Sequence, residues 1–310
     1  MALRALLVVL FALALAMGAC GPTTTGDEGG QDSGPGWTTD GPRSGDGGEI
    51  DQPPPDNCSD AAKLIYVVDE DNRFSSFTPH PTPMFNDLGV LNCPATPGPL
   101  GIPATPFSMS VDRDAIAWVL YSNGELLRVE TANPGNCTKA NFQVNQQGFL
   151  LMGMGFVADN PGSTLDTLYV AGGTGPGAGT GATLGTIDMD TFVLTPIGPV
   201  SGWPELTGTG DAKLWGFYPD TTPPKVSEIA KASGQEGTTW ALPTLQGEPR
   251  AWAFAFWGGD FWIFLMRQGE LDTTVYHVKG TDGSMEVALA GTGRVIVGAG
   301  VSTCAPIVID

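Results

Sequence analysis

Two histidines, five cysteines and two short acidic runs are the side chains of this 310-residue chain whose type could carry chemistry. His80 lies in His80-Pro81-Thr82-Pro83, and His277 alternates along an apolar stretch that reads as a strand. No G-x-S-x-G elbow accompanies either, so a Ser–His hydrolase has no nucleophile to work with. Both rings are expected to be structural or simply exposed. Two histidines are also too few for a His-ligated zinc site, and the cysteines lack C-x-x-C spacing. Gly172 to Gly181 is a glycine-rich run of the kind that cradles phosphate. Only the strand-like Thr183–Ile187 follows it, with no helix and no G-K-[ST], so it is expected to be a long hairpin loop.

The acidic runs are Asp69-Glu70-Asp71-Asn72 and Asp188-Met189-Asp190. Their carboxylate oxygens suit Ca²⁺, yet neither continues into the glycine and distal glutamate of an EF-hand loop. Asp and Asn also simply favour turns. Trp252–Trp257 together with Phe261–Phe264 is the densest aromatic stretch. Exposed, these rings would stack on sugars; buried, they would fill a core covered on both faces, and core packing is the preferred reading. The chemistry-bearing residues thus lead to an expectation of no catalytic residue, no metal and no cofactor. Structural Ca²⁺ is the one weaker option.

Charge removes further classes. Lys and Arg number 14 against 33 Asp and Glu, a formal net charge of −19. Nucleic acid needs clustered cations to neutralise phosphate, and anionic lipid surfaces need the same. Neither partner is expected.

One cysteine stands apart. Met1-Ala2-Leu3-Arg4 gives a short positive start, and Ala5 to Met17 is an unbroken apolar run. As a helix that run is too short for a bilayer core of about 30 Å, but it has the length of a signal-peptide core. Met17-Gly18-Ala19-Cys20 follows directly. This small-small-Cys ending resembles the lipobox of bacterial lipoproteins, with Met17 where that family most often has Leu. The resemblance implies cleavage before Cys20, a diacylglyceride on its thiol and an acyl group on the new amino terminus. Gly21 to Asn57 then holds 10 Gly, 6 Pro and 8 acids, with Arg43 as its single base. Such a segment buries too little apolar area to offset its ordering entropy, and as a coil it reaches on the order of 35 Å. The expected organisation is a signal peptide at 1–19, a lipidated Cys20 with a disordered tether over 20–57, and a folded domain over 58–310.

The elements that must position everything else repeat at a fixed interval. Five apolar runs each carry a central aromatic: Tyr66, Trp118, Tyr169, Trp215 and Trp262, spaced 52, 51, 46 and 47 residues apart. Behind each comes a second alternating strand: Phe74 to Phe77, Glu125 to Val129, Leu184 to Ile187, Val226 to Ile229 and Val275 to Val278. Asn123-Gly124 and Gly258-Gly259 supply hairpin turns. A third strand is readable at Val193–Ile197 and Thr239–Leu242. A strand of small residues precedes four of the pairs: Ser108–Val111, Met152–Val157, Leu206–Thr209 and Trp252–Phe256. Small side chains suit a crowded central axis.

Four strands in every 46–52 residues resemble the blades of a β-propeller. The expectation is an all-β ring of about five four-stranded blades. The first blade lacks its innermost strand, and Val295–Val301 would supply it from the C-terminus. Six blades or a pair of β-sandwiches are the alternatives. Cys58, Cys93, Cys137 and Cys304 allow three pairings, among which sequence alone does not choose. Ring closure by the last strand favours Cys58 with Cys304, leaving Cys93 with Cys137.

No catalytic set accompanies this anchor and ring. The expected role is a monomeric lipoprotein of the bacterial cell envelope, at the outer membrane or cell surface rather than the inner membrane. It would meet the membrane through its lipid and present the propeller to a protein or glycan partner. A propeller enzyme acting on sugars or lactones through channel carboxylates, with or without Ca²⁺, is the alternative. A structural subunit of an envelope complex is the third reading. A group of inward-facing acids at one channel mouth would favour the enzyme, and a channel lined by Gly and Ala would favour the binding module.

Overall fold

The computed structural model describes residues 58–175 and 181–309. The segments expected to be a signal peptide and a tether, with Cys20, lie outside the described residues, as do 176–180 of the glycine-rich run. The described chain is all β, apart from three single-turn 3₁₀ segments.

Twenty strands, numbered along the chain, form five separate four-stranded antiparallel sheets. The first holds β20 (Ile296–Gly300), β1 (Ile65–Asp69), β2 (Arg73–Thr78) and β3 (Met84–Val90), in that order from the axis outward. The second runs β4 (Pro106–Val111), β5 (Ile116–Tyr121), β6 (Leu126–Glu130) and β7 (Asn133–Lys139). The third runs β8 (Leu151–Ala158), β9 (Asp166–Gly173), β10 (Thr183–Ile187) and β11 (Leu194–Pro199). The fourth is β12 (Glu205–Gly208), β13 (Leu214–Tyr218), β14 (Lys225–Ile229) and β15 (Glu236–Ala241). The fifth is β16 (Pro249–Trp257), β17 (Asp260–Arg267), β18 (Thr274–Val278) and β19 (Met285–Leu289). Innermost strands touch in the cycle β20, β4, β8, β12, β16 and back to β20. The architecture is a five-bladed propeller.

The last strand closes the ring. β20 pairs antiparallel with β1, placing Tyr66 opposite Gly300 and Val68 opposite Gly298. The disulfide between Cys58 and Cys304 lies just beyond that pairing, with Cα atoms 5.8 Å apart. Cys93 and Cys137 form the second bridge, tying the connector after blade one to the outer strand of blade two.

The core is divided into five slabs because each blade is covered on both faces. Phe77, Trp262 and Phe264 fill the slab between blades five and one, with ring centroids 5.3–5.6 Å apart. Trp215, Phe254 and Phe261 occupy the one between blades four and five. Burying such rings contributes roughly 1.5–3 kcal/mol each. The dense aromatic stretch is therefore mostly core, as its spacing along two facing strands requires. Outer strands differ: β3, β7 and β15 are largely exposed, since nothing lies outside them.

Candidate functional site

Each innermost strand is the edge of its sheet, so backbone N–H groups on its axial side have no next strand to pair with. Buried N–H groups must be paired all the same. Short polar side chains from neighbouring blades do this. Ser110 of blade two accepts the Phe156 N–H of blade three at 3.1 Å. Thr207 of blade four accepts the Phe256 N–H of blade five at 3.0 Å. Thr273 of blade five accepts the Ile296 N–H of blade one at 2.9 Å. Ser110 and Thr207 lie on innermost strands and so serve a second purpose beyond the crowding read from sequence, their hydroxyls joining blades at the axis, whereas Thr273 reaches Ile296 from just before the third strand of blade five.

Glu205 extends this pattern and departs from it. Its carboxyl accepts the Met154 N–H of blade three and the Ser108 hydroxyl of blade two, so one side chain bridges three blades. It fits only because blade three has Gly153 there. A Cβ on Gly153 would lie 2.4 Å from the Pro204 carbonyl oxygen and 2.9 Å from the Glu205 Cα. Glu205 is 3% exposed. Burial pushes its carboxyl well above the usual range, and the bonds from Ser108 and Met154 only partly oppose this.

Above Glu205 the channel opens. A cavity of about 330 Å³ is lined by Pro106, Phe107, Glu205, Pro249, Arg250 and Trp252, with Ala251 and Val297. These residues come from the N-terminal ends of innermost strands in four blades. Arg250 is largely exposed and sits 3.5 Å from Glu70, itself half-exposed. Among all the residues of β4, β8, β12, β16 and β20, Glu205 is the single acid and Arg250 the single base. Both face this mouth.

The other end of the channel is closed by the chain's own C-terminal segment. Ser302, Thr303, Cys304 and Ala305 are buried there. The Ser302 hydroxyl donates to the Ala62 carbonyl at 2.6 Å. Arg113 donates to the Thr303 hydroxyl at 2.9 Å, and that hydroxyl donates to Asp166 at 3.1 Å. Gly258 N–H donates to the Pro306 carbonyl at 2.7 Å. The segment thus touches hairpins of blades two, three and five as well as the start of blade one. Burial raises the Asp166 carboxyl to about 6 against the pull of Thr303 and Arg113.

The residues singled out in the sequence fall elsewhere. His277 donates or accepts at 2.6 Å with Asp260 and 3.1 Å with Glu286, and its ring stacks on Trp262. His80 packs against Trp257 and Trp262, 6.3 Å from His277 between ring centroids. The two histidines therefore meet at the joint between blades five and one, His277 within its packing and His80 exposed at its edge. The Asp69 carboxylate holds its own turn through the Asp71 and Arg73 N–H groups and pairs with the Arg73 guanidinium at 2.7 Å. Asp188 likewise caps its turn through Asp190 and Thr191. Gly172 and Gly173 end β9, and β10 pairs back on it, as a hairpin loop requires. Cys20 lies outside the described residues. Sequence reasoning missed Glu205 and Arg250, although their isolation among small and apolar innermost strands was a readable signal.

No family model matches the sequence, and no curated protein matches it. Among solved structures the chain is similar to TolB from Acinetobacter baumannii, with TM-score 0.41 and 10% identity over 72% of this chain and 51% of that one. It is also similar to the extracellular domain of a hybrid two component system from B. thetaiotaomicron. There the TM-score is 0.39 and the identity 11%, over 76% of this chain and 29% of that one. The chain spans about half the length of the first and under a third of the second. At these scores the likeness carries no functional argument.

Proposed function

We propose that the chain is a lipid-anchored protein of the bacterial cell envelope, cleaved before Cys20, that presents its propeller as a binding module for a protein or glycan. The carrying observation is the inequality of the two channel ends. The chain enters the domain at Cys58, beside Cys304 and the closing segment. The end at which the channel axis itself opens into a cavity, lined by Glu205 and Arg250, is the opposite one, whereas the clefts on the closed-end face, lined by Asp112, Asp114 and Asp166 and by Thr209, Asp211 and Lys213, lie among the hairpins around the closing segment. Display at the outer membrane or cell surface suits a long polar spacer of this kind.

At the open mouth the lining supports binding over carboxylate chemistry; the acids Asp112, Asp114 and Asp166 gather instead in a cleft on the closed-end face. Glycoside cleavage ordinarily needs two carboxyl groups about 5–10 Å apart. Glu205 is the single acid lining this mouth. Mass spectrometry of membrane fractions tests the anchor: the mature chain should carry acyl chains on Cys20, and Cys20→Ala should release it in soluble form. An unmodified thiol on a soluble wild-type chain would overturn the proposal.

A further inference from the structure

The mouth cavity has a definite chemical character. Phe107, Trp252, Pro106 and Pro249 line it with apolar side chains, and Glu205 and Arg250 supply its hydrogen-bonding groups. At about 330 Å³ it sits at the small end of ligand sites. We propose that this mouth binds a neutral, hydroxylated ring, a single sugar residue of a glycan, with its C–H face on the apolar walls and its hydroxyls on Glu205 and Arg250. The inference rests on the binding-module reading and names the ligand class of that module.

Charge selects against the other small ligands. A cation entering the cavity would pass the Arg250 guanidinium. An anion would enter against the field of a chain of net charge −19. A polyol meets neither repulsion. It also satisfies both groups, because a guanidinium only donates whereas a hydroxyl donates and accepts. Two bonds already fix the Glu205 carboxyl, from Ser108 and from the Met154 N–H. Its remaining lone pairs are therefore oriented before a ligand arrives, which lowers the ordering cost of binding. Arg250 is held by an exposed ion pair to Glu70 at 3.5 Å and by a donation to the weakly accepting Met266 sulfur at 3.8 Å, both contacts of little strength, so turning inward costs little.

The test uses the whole chain in detergent micelles. It is titrated with glucose, galactose, N-acetylglucosamine, cellobiose and chitobiose, by saturation-transfer NMR and calorimetry, with glycine and inorganic phosphate as charged probes. At least one sugar should bind saturably. Arg250→Ala and Trp252→Ala should each weaken it roughly tenfold. Leu165→Ala, at the closed end and 69% exposed, should leave it unchanged. Trp252→Phe keeps a packed ring there and replaces the alanine variant if that one unfolds early. Absence of sugar binding, or sugar binding indifferent to Arg250→Ala, would overturn the inference. Binding of glycine or phosphate that Arg250→Ala abolishes would refute the ligand class and leave the binding module standing. A soluble, unacylated wild-type chain that still bound sugar at the mouth would instead refute the anchor alone.

Discussion

The two ends of the channel are built from the same five strands and are used in opposite ways. At the C-terminal ends of β4, β8 and β16 the polar groups face one another: Arg113, Thr303 and Asp166 share a chain of hydrogen bonds, and Ser302 to Ala305 are buried. At the N-terminal ends the polar groups Glu205 and Arg250 line a cavity, with aromatic and proline rings between them. At one end the closing segment fills the axis; at the other the axis opens into a cavity. The difference follows from where the chain closes. The ring must be finished by β20, so the residues after β20 necessarily lie at one end, and they seal it.

The largest expected effect lies at the sealed end. Replacing Cys58 and Cys304 together by Ser opens a loop of 246 residues and should cost up to about 5 kcal/mol in urea unfolding. The Cys93–Cys137 bridge closes a separation of 44 and should cost about 4 kcal/mol by the same reasoning. Equal losses, or a larger one for the shorter loop, would show that the two bridges do not act mainly by closing their loops. Next, Thr303→Val removes the hydroxyl between Arg113 and Asp166 and should lower stability by roughly 1–3 kcal/mol. An unchanged midpoint would mean that the closing segment merely rests on the hairpins.

Glu205→Gln sharpens the comparison through pH. The folded carboxyl sits well above its unfolded value, so the folded chain retains a proton that the unfolded chain releases. Wild-type stability is then fully present at low pH and falls as pH rises from the unfolded carboxylate range through the folded one. The amide variant has no proton to lose, so its advantage over wild type should grow as pH rises. Parallel stability curves from pH 4 to pH 8 would show that Glu205 is ionised in the folded chain. The smallest effect belongs to Arg250→Ala, which should move the unfolding midpoint by less than about 0.5 kcal/mol, because its ion pair is exposed. A larger loss would assign Arg250 to the structure instead of the mouth.

Much of the ring was legible because burial repeats with the blades. Tyr66, Trp118, Trp215 and Trp262 are all buried on the second strand of their blades, so the same side-chain demand recurs at nearly constant spacing. The outermost strands were harder to see. β7 contains Pro134 and Gly135 and is mostly exposed, so no hydrophobic period marks it. The mouth was not legible as a contact, since Ser108 and Glu205 are 97 residues apart and meet only across blade three. The sealing role of Ser302–Ala305 was hidden too, because four small residues after the last strand carry no pattern of their own. The cysteine pairing was accessible for the opposite reason: closure leaves Cys58 and Cys304 facing each other.

Hydrogen exchange of the whole chain, with and without the sugar mixture, compares the two ends in one measurement. Ligand should slow exchange in residues 104–108, 203–206, 249–252 and 296–298, and leave 112–115 and 302–307 as they were. Slowing centred on 302–307 and 112–115 would contradict the assignment of the open end as the binding end.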